Sequence, residues 1–294
     1  MLKTGKWMMT LALLMLVLSA CGNNGNPANT SNAAQSGNSG TGVEAPAAAG
    51  SDTSETTTLK VASLIPPMTD ILELIKPQLK EEGIDLEVVV LSDNVQPNDA
   101  LANKEVDANF FQHVPWMEEY NTNKKANLVP VQPVYHAVYG AYSKRYTSMD
   151  ELPDGATIVI ANDASNGGRS LDMLDEAGVV KLKEGVGIHA TVADIVENPH
   201  NYKFEEVDLL MLPRMLDDAD LVLMTPAYAS PLGLTPKKDA LLTETVESAF
   251  AITLVAREDN RDSEPIQKLA KAISSPEVKQ FLEDNYDEIA LPAF

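Results

Sequence analysis

From Leu59 to the C-terminus, short runs rich in β-branched and aromatic residues alternate with segments of helical periodicity. This alternation constrains the fold more than any other feature. Residues 59–65, 86–91, 134–142, 157–161, 221–224 and 249–256 read as strands. Between them, 70–82 places Ile71, Leu72, Leu74, Ile75 and Leu79 on one helical face, with Pro77 expected to kink it. Residues 170–177, 191–197 and 266–285 read as further helices. Pro276 divides the last, with Ser274 or Ser275 available as a new N-cap. The pattern predicts an α/β architecture with mainly parallel sheets.

The first 58 residues read differently from that body. Lys3 and Lys6 precede an apolar run from Trp7 to Ala20 interrupted only by Thr10 and Ser19. The run has the length of a signal-peptide core and falls short of the roughly 20 residues that span a bilayer. It ends in Leu18-Ser19-Ala20-Cys21, and Cys21 is the only cysteine in the chain. That ending resembles the lipobox of bacterial lipoproteins, which implies a signal peptide over 1–20 and a lipidated Cys21 that fixes the protein to the membrane. A single cysteine also excludes an intramolecular disulfide framework and a thiolate-rich metal site. In 22–58, 30 of 37 residues are Gly, Asn, Ala, Ser or Thr, and Val43 is the one branched aliphatic. Such a stretch cannot bury enough apolar surface to offset its ordering entropy, so 21–58 reads as a disordered tether.

The formal charge is −21. Setting aside Lys3, Lys6, Glu44, Asp52 and Glu55, the charged residues before Leu59, leaves 20 basic and 40 acidic residues in the body, a charge of −20. This acidity argues against nucleic acid as a partner and against docking on anionic lipid through a basic patch. Its ordinary meaning is a solvated surface.

Enzyme motifs are missing from the sequence: there is no G-x-S-x-G elbow, Walker A loop, G-x-G-x-x-G or H-E-x-x-H. No cofactor and no metal is expected. Asp217, Asp218 and Asp220 lack the spacing and turn glycine of a calcium loop and read as a solvated helix end. Two segments carry binding chemistry. In 160–170 a strand breaks into a glycine-bearing loop and then a helix, whose free N–H groups favour an anion. Arg169 adds a planar fork suited to a carboxylate. The alternative is a simple turn at Asn162 and Asp163, with Arg169 pairing a surface acid. In 107–117, Phe111, His113 and Trp116 stand close together in a chain that is only 5% aromatic. They suit a ligand pocket, although the pattern alone favours a core cluster with one hydrogen-bonded histidine.

These blocks, in this order, resemble the NlpA/MetQ family of lipoproteins, the substrate-binding components of methionine-type ABC importers. The resemblance runs through 107–119, 160–187, Ile195-Val196-Glu197-Asn198-Pro199, Leu212-Pro213-Arg214, Gly233-Leu234-Thr235-Pro236 and Arg257-Glu258-Asp259-Asn260. It implies a bilobed periplasmic-binding-protein-like fold: two α/β lobes joined by two chain crossovers. Lobe one is expected over 59–139 plus 249–294 and lobe two over 140–248. Phe111, His113 and Trp116 would surround the ligand side chain opposite Asn166 and Arg169, with Arg169 on its carboxylate. Three positions depart from the family: Asn94 replaces a tyrosine, and Thr225 and Ile252 replace asparagines that help hold an amino-acid head group. The implied function is a non-catalytic, membrane-anchored receptor on the extracytoplasmic face. It would deliver methionine or a related amino acid to an ABC permease. A different ligand such as a short peptide, or a surface lipoprotein that has lost transport, stands as the alternative.

Overall fold

The computed structural model describes residues 56–245 and 248–294. The signal-peptide and Cys21 readings, and the tether up to residue 55, lie outside the described residues, whereas Thr57 and Thr58, read as tether, pair with Ile84 and Asp85 as the start of the first strand. Among the described residues the strands are β1 (Thr57–Ser63), β2 (Ile84–Val90), β3 (Ala108–His113), β4 (Leu128–Ala137), β5 (Gly140–Tyr142), β6 (Thr157–Ala161), β7 (Lys181–Leu182), β8 (Ile195–Glu197), β9 (Lys203–Val207), β10 (Leu221–Met224), β11 (Ala240–Thr243), β12 (Ala251–Arg257) and β13 (Ala290–Pro292). The helices are α1 (Met68–Glu81), α2 (Gln96–Ala102), α3 (Val114–Lys124), α4 (Ala164–Glu176), α5 (Leu212–Met215), α6 (Pro226–Ala229), α7 (Pro236–Asp239), α8 (Glu264–Ile273) and α9 (Pro276–Asn285).

The strands form a six-stranded sheet, β13-β4-β12-β3-β1-β2, a five-stranded sheet, β11-β5-β10-β6-β9, and the small pair β7-β8. Each large sheet is the centre of one α/β lobe. The chain leaves the first sheet after Ala137, enters the second at Gly140, and returns between Thr243 and Ala251. The expected strand over 134–142 is therefore two strands in two sheets. The sheets are mixed, not mainly parallel. β1 runs parallel to β2 and β3, and β6 parallel to β9 and β10, but β4, β5, β11, β12 and β13 pair antiparallel. The strands beside the crossovers leave one sheet and come back to it, so they oppose the βαβ direction.

α1 buries Ile71, Leu72, Ile75 and Leu79 against the first sheet. Each such side chain contributes about 1.5–3 kcal/mol relative to exposure. The helix continues through Pro77. Ser275 caps α9 by accepting the Val278 N–H at 3.3 Å, and Pro276 takes the first helical position. The expected helix over 191–197 is instead a short 3₁₀ turn closed by a Thr191–Asp194 capping box, followed by β8. Its β-branched end pairs with β7. The acidic cluster at 217–220 is partly neutralised: Lys144 bonds Asp217 and Arg145 bonds Asp220. Among the described residues no helix is long and apolar enough to cross a membrane.

Candidate ligand-binding site

The carboxyl ends of the parallel strands meet over one cavity, the position where open α/β sheets bind ligands. From the first lobe, Phe111 and His113 end β3, Trp116 stands in the first turn of α3, Asn94 follows β2 and Ile252 opens β12. From the second lobe come Asn166 and Arg169 on α4, and Thr225 after β10. All eight residues singled out from the sequence line this cavity. Its volume is about 60 Å³. At roughly 10–15 Å³ per enclosed water, that is the scale of one small molecule.

One wall is apolar, with Leu64, Ile65, Met68, Phe111 and Tyr135 beside the Trp116 indole. The Trp116 Nε1–H donates to the Asn94 carbonyl at 3.2 Å. Gln112 also reaches the cavity, but its amide is engaged by Asn98 and Asn109 in a buried network. It serves as wall and not as a free donor.

His113 caps α3: its Nδ1 accepts the Trp116 backbone N–H at 3.2 Å. The other ring nitrogen then carries the proton and donates to Asn166 Oδ1 at 3.2 Å. Burial, reinforced by the Arg169 charge, pushes His113 down to about 3. It is a neutral, fixed tautomer at physiological pH.

α4 begins six residues before the helix expected at 170, so the glycine-bearing loop is helical. A Cβ on Gly168 would stand 2.0 Å from the Ile188 carbonyl oxygen, and one on Gly167 2.8 Å from that of Ala161. The two glycines allow close helix packing and supply no flexible turn. The N–H groups at the helix start are also taken. Asp163 caps the helix through the Asn166 N–H, and the Glu119 carboxylate from the other lobe accepts from Ser165 at 3.1 Å and Ala164 at 3.4 Å. The anion favoured at that terminus is a protein side chain.

Among the described residues, Arg169 is the only charged side chain lining the cavity, with 2% of its side chain exposed. Its Nε donates to Glu244 Oε2 at 2.7 Å, and its Nη2 donates to Glu244 Oε1 and to the Ala137 carbonyl. The guanidinium lies over the Tyr139 ring at 4.6 Å and the Phe250 ring at 4.4 Å. Phe250 in turn meets His113 edge to face. Nη1 is buried and has no hydrogen-bond partner among the described residues. Arg169 thus pairs with an acid, as one sequence reading allowed, but a buried one in the second crossover, and only Nη1 is left without a partner among the described residues.

Across the cleft, Asn94 Nδ2 donates to the Tyr228 hydroxyl at 2.9 Å. Burial pushes that hydroxyl up to about 12, so it stays neutral. The NlpA lipoprotein profile matches residues 59–294. The chain belongs to the NlpA lipoprotein family. It is 40% identical to the D-methionine-binding lipoprotein MetQ of Escherichia coli over 78% of this chain and 86% of that one. Solved structures share its fold, and two of them are described by function. One is a nutrient binding protein from Burkholderia cenocepacia bound to methionine, with a TM-score of 0.77, 36% identity, and coverage of 80% of this chain and all of that one. The other is an ABC transporter periplasmic substrate-binding protein from Coxiella burnetii, with a TM-score of 0.76, 35% identity and the same coverage.

Within this NlpA-family site, sequence reasoning missed Glu244, Tyr228, Glu119 and the apolar residues that follow β1. The last were within reach: Leu64, Ile65 and Met68 stand at the carboxyl end of a parallel strand, where ligands collect. Glu244 carried no local signal, because its partner lies 75 residues away.

Proposed function

We propose that this chain is a solute receptor that binds one small carboxylate-bearing molecule, methionine or a related amino acid, and delivers it to an ABC permease. The observation that carries this reading is the unpartnered Arg169 Nη1 buried in a cavity with an apolar wall. A single N–H fork meets a carboxylate, and the wall accepts an apolar side chain. The methionine-bound relative and the MetQ name of the E. coli protein support the same reading.

In this reading the protein is non-catalytic and is held at the extracytoplasmic face of the membrane by lipid on Cys21. The lobes, 59–139 plus 249–294 and 140–248, close by a population shift driven by contacts that exist only when both engage. Phe111, His113 and Trp116 surround the side chain, Asn166 supports Arg169, and Asn94, Thr225 and Ile252 adjust the remaining wall. Native mass spectrometry of the purified protein should show one bound carboxylate-bearing molecule. L-methionine at 100 times its dissociation constant should protect against unfolding by about 2.7 kcal/mol. A protein that carries no ligand and gains no protection from any amino acid would overturn the receptor reading.

A further inference from the structure

Arg169, which lines the cavity, forms a buried ion pair with Glu244, with 2% and 9% of their side chains exposed. Glu244 takes the Nε and Nη2 edge of the guanidinium and leaves Nη1 unpartnered. The same carboxylate accepts the Tyr139 N–H at 2.8 Å, and the Glu244 N–H donates to the Tyr139 carbonyl at 3.1 Å. Arg169 also bonds Ala137. The pair is therefore built into both crossovers and cannot turn without moving them.

We propose that Glu244 sets the charge selectivity of this cavity. It cancels the charge of Arg169 and fixes the guanidinium so that Nη1 alone faces the ligand. The site then takes a net-neutral, zwitterionic carboxylate in preference to a monoanion of the same size. This rests on the receptor reading above and goes beyond it.

The physical reason is that, among the described residues, no other charged side chain lines the cavity. A monoanion entering beside a neutral pair brings an uncompensated negative charge into a low-dielectric space, whereas a zwitterion brings none. Asp163 acts in the same direction, since its negative charge is felt at Tyr139 and at Tyr228. The ligand ammonium is left to uncharged acceptors, among them Thr225 and Tyr228.

The test is calorimetric titration of the full chain and of Glu244→Gln with two compounds. These are L-methionine and 2-hydroxy-4-methylthiobutanoate, which carries a hydroxyl in place of the ammonium. The wild type should prefer the amino acid by about 100-fold, as expected when like charges are brought together. Glu244→Gln should shrink that preference at least ~10-fold, whereas Glu244→Asp, which keeps the charge, should retain it. A residue with a merely structural role would weaken both compounds alike. Equal binding of the two compounds by the wild type would overturn the proposal, and this arm decides even if Glu244→Gln fails to fold. An unchanged ratio in a folded Glu244→Gln would overturn it as well. A wild type that binds neither compound would sink the methionine reading instead. The Arg169 Nε–H proton resonance of the ligand-free protein then decides. Slow exchange with water that becomes fast in Glu244→Gln supports the placement of the guanidinium by Glu244, and an unchanged signal overturns it.

Discussion

His113 Nε2 lies 3.2 Å from Asn166 Oδ1 and joins the two lobes over the cavity, while the same ring accepts the Trp116 N–H through Nδ1. A protonated ring would lose the Trp116 bond, so the folded protein holds His113 neutral. Its value falls from 6.5 to about 3 through burial first and the Arg169 charge second. Below pH 6.5 the unfolded chain binds a proton that the folded protein refuses. The stability contributed by the neutral ring is therefore complete above pH 6.5 and is lost as pH falls toward 3. At pH 5 the loss is about 2 kcal/mol. Urea unfolding at pH 7.5 and 5.0 should show a smaller drop for His113→Gln than for the wild type. Equal drops would refute the assignment.

Arg169→Ala should abolish carboxylate binding and also strand the buried Glu244 charge. The single variant is expected to lose about 3–5 kcal/mol of stability. Arg169→Gln combined with Glu244→Gln should regain much of that stability without regaining affinity. Denaturation and titration of the single and double variants separate the two effects. A double variant no more stable than Arg169→Ala would show that the pair is not the source.

Gly168→Ala drives a Cβ to within 2.0 Å of the Ile188 carbonyl oxygen, a backbone atom that cannot rotate away. The substitution should cost at least about 1–3 kcal/mol, although alanine is the better helix former. Thermal unfolding measures this directly. A neutral or stabilising result would show that α4 sits farther from residues 187–189 than described.

The Asn94–Tyr228 bond crosses the cleft, and the Asn94 carbonyl also holds the Trp116 indole. Tyr228→Phe removes one hydrogen bond that exists only while the lobes meet. Affinity should fall by the equivalent of about 0.5–1.5 kcal/mol, with little change in the stability of the ligand-free protein. With Trp7 replaced by Phe, Trp116 becomes the only tryptophan. Its emission should then change on adding ligand and report the affinity of each variant. A silent Trp116 in a protein that binds by calorimetry would place the ligand away from this wall.

Features with short-range causes were legible in the sequence. β6 and β10 run over the residues that their β-branched and aliphatic composition marks. The break at Pro276 and the Ser275 cap follow from two adjacent residues. Phe111, His113, Trp116, Asn166 and Arg169 stood out for a related reason, since they lie in two contiguous blocks whose chemistry is unusual for the chain, whereas Asn94, Thr225 and Ile252 were reached only through the family resemblance. Other features needed a neighbour from elsewhere. The run over 134–142 looks like one strand because nothing within it tells that Ala137 and Gly140 belong to different sheets. Gly167 and Gly168 resemble a loop because the carbonyl groups that forbid a side chain there, of Ala161 at the end of β6 and of Ile188, come from outside the helix.

By itself, the sequence determined the alternation of strands and helices, the chemistry of the two binding segments and the presence of an arginine suited to a carboxylate. Periodicity, capping and side-chain type act over a few residues, and they survive without coordinates. Only the tertiary structure decided how that arginine is used. Glu244, 75 residues away, occupies most of its guanidinium, and the rings of Tyr139 and Phe250 fix what remains. Burial made the difference: with water removed, a charge must find its partner wherever the fold places one.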